Sequence, residues 1–267
     1  MLAPSDFFDL EGLTHAELFT GLELVWEALD RIRDYTAAQV EAAGANAELL
    51  PRRGELVTRT VVLHQGRVYH DGFELLGGDP TKGRMQVRLE GRVVNDAAVV
   101  HAGSVFMDTR VHLAPGGKVE PGALIKGPAF IGPGSEVRQG AYLRGGCLVG
   151  RGCVVGHTTE MKNAVMLDGA KAGHFAYLGD SILGREVNLG AGTKLANLKI
   201  VERPYRISAG GATHRVTRRK FGAILGDGCQ TGCNCVTNPG TLLAPRCLVA
   251  PAVAVPAGYH KPRSVIR

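Results

Sequence analysis

From Val119 onward an aliphatic residue returns at every sixth position: Val119, Ile125, Ile131, Val137, Leu143, Val149, Val155, Met161, Leu167. After a break the phase resumes at Leu183, Leu189 and Leu195, and again at Leu225, Leu243, Val249 and Val255, with Thr231 and Thr237 in the slots between. The fourth residue after most of these is small, as at Ala123, Ala129, Ser135, Ala141, Cys147, Cys153 and Thr159, and later Cys229, Cys235, Thr241 and Cys247. One large and one small inward residue per six, with glycine-prone corners such as Gly132 and Gly150, fit neither a helix of period 3.6 nor hairpins of period two. The pattern predicts short parallel strands wound into a solenoid.

This hexapeptide pattern resembles that of left-handed parallel β-helices, in which three hexapeptides make one triangular coil. The expected fold is therefore mainly β, a left-handed parallel β-helix with an N-terminal α-helix. The rhythm fails once. The small slot after Leu167 falls on Lys171, and Leu167 to Leu178 is one residue short of two repeats, so the coil is expected to deform around His174.

Ahead of the repeats, Thr14 and Glu17 have the spacing of a capping box, followed by Leu18, Leu22, Val25, Leu29 and Ile32 at helical intervals. A helix is expected from about residue 15 to the low forties, ending near Gly44, with its apolar stripe on the solenoid end or a neighbouring subunit. Residues 55 to 95 read as short strands and turns. The division is thus 1–95, a helix and short-strand cap, and 96–267, the β-helix. No glycine-rich phosphate loop or nucleotidyltransferase pattern is found in the N-terminal part.

Composition supports this reading. Among 267 residues, 37 glycines, 13 prolines and 6% aromatics describe many tight turns around small aliphatic residues and exclude an ordinary helical bundle. The net charge of +6 suits phosphorylated ligands but lacks the dense basic stripe of a nucleic-acid binder. The N-terminus is acidic where a signal peptide is basic, and no apolar run reaches membrane length, so a soluble, cytoplasmic protein without membrane partners is expected. Five of the six cysteines occupy the small inward slot as compact apolar filler; Cys233 alone lies off it, and the spacing of Cys229, Cys233 and Cys235 is a poor zinc site. No metal is expected.

Several polar residues stand out. Arg144 and Lys162 are eighteen apart and so share one wall of the prism, as an anion-holding pair or as two solvated side chains. His174 is either a turn cap or a general base. Asn188 and Asn197 bracket a corner that asparagine often serves structurally. The basic run at 214–220 is either a solvated loop or an anion contact.

The stretch EMKNAVMLDGAKAGHFAYLGDSILGREVNLGAGTKLAN, residues 160–197, closely resembles the acetyltransferase half of the bacterial bifunctional enzyme that acetylates glucosamine 1-phosphate and then uridylylates the product. RRKFGAILGDGCQTGCNCVTNPGTLLAP is similar to the archaeal bifunctional sugar-1-phosphate nucleotidylyltransferases with acetyltransferase tails. The resemblance implies acetyl-CoA as co-substrate, His174 as the base that deprotonates a sugar amine, and Asn197 as a group that orients it. It also implies Arg144, Lys162, Tyr177, Asn188 and Lys220 around an amino sugar phosphate, and backbone near Ala191 and Cys233 lining the acetyl-CoA groove. A homotrimer is implied, and a separate nucleotidyltransferase is allowed as a partner, since the pattern of that domain is missing. After Asn197 the chain departs from the bacterial enzymes with a longer, more basic loop.

Two rivals remain. One is a non-catalytic sugar-nucleotide-binding or assembly module derived from such a domain; the other is a β-helical carbonic anhydrase, which needs three histidines on zinc, whereas no two of the nine here form a close pair within one repeat.

Overall fold

The computed structural model describes residues 1–50, 53–83 and 85–267. Its body is a left-handed β-helix of about nine turns with three parallel walls. We call these the open wall, with eight strands from Val105–Phe106 to Ala254–Val255, and the covered wall, with eight from Val111–Leu113 to Gly258–His260. The third, the long wall, has eleven. Its parallel part runs from Ala98–Val100 to Val265–Ile266, and the hairpin Val61–His64 and Arg67–Tyr69 pairs antiparallel with Ala98–Val100 to finish that end of the wall.

The six-residue columns form the interior. Val119, Ile125, Ile131, Leu143, Val155, Met161, Leu183, Leu195, Leu225 and Val255 are fully buried in one continuous core, with Ala123, Ala141, Cys147, Cys153, Cys229, Cys235 and Cys247 beside them. Stacking coils lets every apolar column bury itself against the next, which no single coil could do.

The coil is shortened at two corners, neither where the rhythm placed it, and the second is at Asp180, between the pairs Lys162–Gly179 and Val165–Ile182. Leu143 sits beside Met161, eighteen residues on, whereas Cys147 sits beside Ala164, seventeen on. The first missing residue is therefore at the corner where the Gly145–Gly146 pair of one coil is replaced by Asn163 alone in the next. Asn163 holds a left-handed conformation (φ 45°) and donates through Nδ2 to Asp180 Oδ1 at 3.1 Å. Around His174 the register is uninterrupted, with Ala172 on Val155 and His174 on His157. Expectations that counted past residue 163 are corrected accordingly. Ala164, Met166 and Ala170 face inward, Val165 and Leu167 face outward into a second apolar cluster, and Lys171 is exposed.

The N-terminal segment also differs. Regular helix is confined to α1, Ala28–Ala43, ended by Gly44 at φ 81°, and the stretch before it forms 3-10 turns at Ala16–Phe19 and Val25–Glu27. The expected capping box is absent because Thr14 Oγ1 donates instead to Asp168 Oδ2 at 2.8 Å, tying the arm to the solenoid. The arm packs along the flank of the solenoid rather than on its end. Phe7, Leu18, Trp26, Leu29 and Ile32 bury against Phe130, Leu148, Val165, Ile182, Ile224 and Leu242, the outward residues of the covered wall.

Between Asn197 and Phe221 the chain leaves the solenoid as a hairpin, Tyr205–Ala209 with Ala212–Val216, and returns where it left: the Phe221 N–H donates to the Asn197 carbonyl at 2.9 Å. Tyr205 and Trp26 both pack on Phe221, at centroid distances of 5.3 and 6.4 Å. Among the described residues no helix is long and apolar enough to cross a membrane.

Candidate active site

Outward residues of the open wall follow the alternation of its strands, one pair per coil: Leu124 and Lys126, Tyr142 and Arg144, Glu160 and Lys162, Tyr177 and Gly179. Arg144 Nη1 donates to Glu160 Oε1 at 2.6 Å, and Lys162 Nζ lies 4.0 Å from Asp180 Oδ2. Asp180, at the left-handed corner just past the wall (φ 47°), is buried. Its carboxylate accepts from Asn163 Nδ2 at 3.1 Å and from Asn197 Nδ2 at 2.6 Å, so it is hydrogen-bonded as a buried charge must be. Asn197 is thereby fixed.

Gly179 leaves space that its neighbours use. A side chain there would begin 2.5 Å from both the Tyr177 hydroxyl and Asn197 Nδ2, which fold into that space and form a polar floor. Burial, reinforced by the carboxylates of Glu160 and Asp180, pushes the Tyr177 hydroxyl above its ordinary pKa, so it remains protonated and able to donate near neutral pH.

His174 ends the long-wall strand Lys171–His174, at the corner just before the open wall. Its ring is exposed, lies 6.2 Å from the ring of Phe175, and has no hydrogen-bond partner among the described residues. Its carbonyl accepts from Gly192 N at 3.0 Å, and Ala191 O in turn accepts from Asn234 N at 2.7 Å. Ala191 and Cys233 therefore continue the corner line that His174 begins, with Cys233 exposed. The Gly190 N–H is committed to Thr231, whereas the Ala191 N–H donates to nothing among the described residues.

The expected residues thus divide by wall. Arg144, Lys162, Tyr177 and Asn197 come together on the open wall; His174, Ala191 and Cys233 line the adjoining corner. Asn188 is elsewhere, exposed on the long wall between Lys171 and Gln230. Lys220 is half-buried where the hairpin returns beside Asn197. Of the basic run, Arg218 serves structure, pairing with Asp30 at 2.8 Å.

Several known proteins are similar to the solenoid. Residues 125–246 match the model of the GMPPB C-terminal domain. A bifunctional sugar-1-phosphate nucleotidylyltransferase/acetyltransferase of Sulfurisphaera tokodaii is 35% identical over 101 residues, 38% of this chain and 25% of that protein. A bifunctional protein GlmU of Methylibium petroleiphilum is 33% identical over 211 residues, 75% of this chain and 42% of its own length. These matches fit a GlmU C-terminal acetyltransferase-like domain. The chain spans from a quarter to less than half of these curated relatives. A solved polysialic acid O-acetyltransferase, OatWY, superposes with a TM-score of 0.35 at 10% identity, over 58% of this chain and 79% of that one.

Within the solenoid, sequence reasoning missed Glu160, Asn163, Asp180 and His157, the last of which stacks below His174 and has Nδ1 3.1 Å from the Gln139 carbonyl. A signal for two of them existed. Asn163 and Asp180 are seventeen apart, the spacing of the shortened coils, and both are residues that tolerate a left-handed corner.

Proposed function

We propose that this protein is an acetyl-CoA-dependent N-acetyltransferase acting on a phosphorylated amino sugar. The observation that carries the reading is the exposed, unpartnered imidazole of His174, one corner away from the wall that gathers Arg144, Lys162, Tyr177 and Asn197. The phosphate sits against Arg144 and Lys162, whose own carboxylate partners leave them donors to spare. The acetyl-CoA chain runs along the corner at Ala191 and Cys233. His174 accepts a proton as the amine nitrogen attacks the thioester carbonyl; the C–S bond breaks, and the proton passes to the departing thiolate. Proton transfer of this kind contributes about 10²–10⁴-fold, and holding amine and thioester together supplies much of the rest. The free Ala191 N–H is the backbone donor available to the developing oxyanion. A homotrimer brings Asn188, on the long wall of one copy, to the open wall of another.

The test is acetyl-CoA-dependent loss of free amine, measured with glucosamine 1-phosphate and UDP-glucosamine as acceptors. His174→Ala is expected to lower kcat by about 10²–10⁴-fold with an unchanged melting temperature. Equal turnover by the two proteins removes His174 as the base, and negligible turnover by both favours a binding module.

A further inference from the structure

The open wall carries a cation that this reaction leaves unused. Lys126 lies in register with Arg144, and Arg144 is one coil from Lys162, so three cationic side chains leave three successive strands at the same position. Gly179 is the fourth member of this column, on the coil of His174. Neighbouring strands are about 4.8 Å apart, so the line from Lys126 to Lys162 is about 10 Å long.

Like charges stacked on adjacent strands repel. Arg144 and Lys162 have Glu160 and Asp180 as partners, but Lys126 has no carboxylate partner among the described residues. It is nevertheless held in line. The ring of Tyr142 lies 5.4 Å from Lys126 Nζ and 5.8 Å from Arg144 Cζ, so one aromatic ring attracts both cations. The half-buried Lys126 stem adds to that restraint.

A single phosphate monoester spans two adjacent members of a 4.8 Å column at most, which leaves the far cation unmatched. We infer that the acceptor is an amino sugar linked through a diphosphate. Its sugar lies over the polar floor at Gly179, its inner phosphoryl group at Lys162 and Arg144, and its outer one at Arg144 and Lys126. The acetyl-transfer part rests on the function proposed above; the diphosphate part rests on the column alone.

Two measurements separate them. In calorimetric titration, inorganic pyrophosphate is expected to bind about tenfold or more tightly than inorganic phosphate. Lys126→Ala should erase that advantage, Lys126→Arg should keep it, and Lys261→Ala, an exposed lysine at the far end of the chain, should leave both affinities unchanged. In steady-state assays Lys126→Ala should raise KM for UDP-glucosamine about tenfold while KM for glucosamine 1-phosphate stays within about twofold. Equal affinity of the two inorganic anions, or an equal effect of Lys126→Ala on both, overturns the diphosphate assignment even if acetyl transfer is observed. Absence of acetyl transfer to either acceptor overturns the catalytic reading while leaving pyrophosphate binding at the column intact.

Discussion

The covered wall and the open wall are built on the same interior and differ in what points outward. On six of the eight strands of the covered wall the outward residue is Phe130, Leu148, Val165, Ile182, Ile224 or Leu242, and an N-terminal arm lies over all of them. On the open wall the outward positions carry Tyr142, Glu160, Tyr177 and Lys194, with Lys126, Arg144 and Lys162 beside them. The first face is stabilised by burial, the second by hydrogen bonds and ion pairs that surface water weakens. The same scaffold therefore devotes one wall to holding the chain together and leaves another uncovered. The long wall shows a third solution. There Lys118 and Glu136 are buried under residues 78–81, with Lys118 Nζ donating to the Gly78 carbonyl at 2.6 Å and Thr81 N donating to Glu136 at 2.9 Å.

This contrast can be broken from either side. Leu148→Ala removes a fully buried side chain between the covered wall and the arm and should cost about 2–5 kcal/mol in denaturant unfolding, with kcat of the folded protein unchanged. A comparable loss of activity per folded molecule would mean the two walls are not separable.

His15 gives the covered wall a pH-dependent stability. Its ring is buried against Phe130 and Tyr35 and Nε2 has no partner, so burial lowers its pKa to about 4, with Asp168 opposing in part. The unfolded chain binds this proton first. Stability is thus complete above about pH 6.5 and falls by about 3 kcal/mol as pH drops towards 4. Replacing His15 by Leu should flatten that part of a stability-versus-pH curve; an unchanged curve would exclude His15 as its origin.

A smaller effect is expected on the open wall. Lys162→Ala should raise the acceptor KM about tenfold, while the unfolding free energy moves by no more than about 0.5 kcal/mol. Smallest is Thr14→Val, which deletes one hydrogen bond to Asp168 and should cost about 1 kcal/mol with no change in KM. A larger cost would show that the arm docks through that contact more than through its aromatic residues.

The inward lattice was legible because its cause is local: a residue every sixth position needs no knowledge of distant chain. Cys147, Cys153, Cys229, Cys235 and Cys247 were placed inside by the same count, and all are buried. The outward apolar series from Phe130 to Leu242 was equally present in the sequence and predicts a covering element, yet it recurs only once per coil and is masked by the stronger six-residue beat. What covers it could not be counted. Thr14 reads as a helix cap because its neighbours in sequence look like a helix start, and it became a tether because Asp168, 154 residues away, offered a carboxylate.

The candidate site divides along the same line. His174, Arg144, Lys162, Tyr177 and Asn197 stand out as chemistry-bearing residues within a plain repeat, so their identities were available from the chain. Their arrangement was not. One residue dropped at Asn163 and another at Asp180 shift the later positions, and a count alone placed the loss between them, beside His174. Asp180 acquires its role by receiving Asn163 and Asn197 from the neighbouring coils. Periodicity, a property of spacing, was fixed by the sequence alone. Corner lengths, the covered face and the buried carboxylate were decided only when coils seventeen or more residues apart came into contact, because their energies arise from partners that spacing does not name.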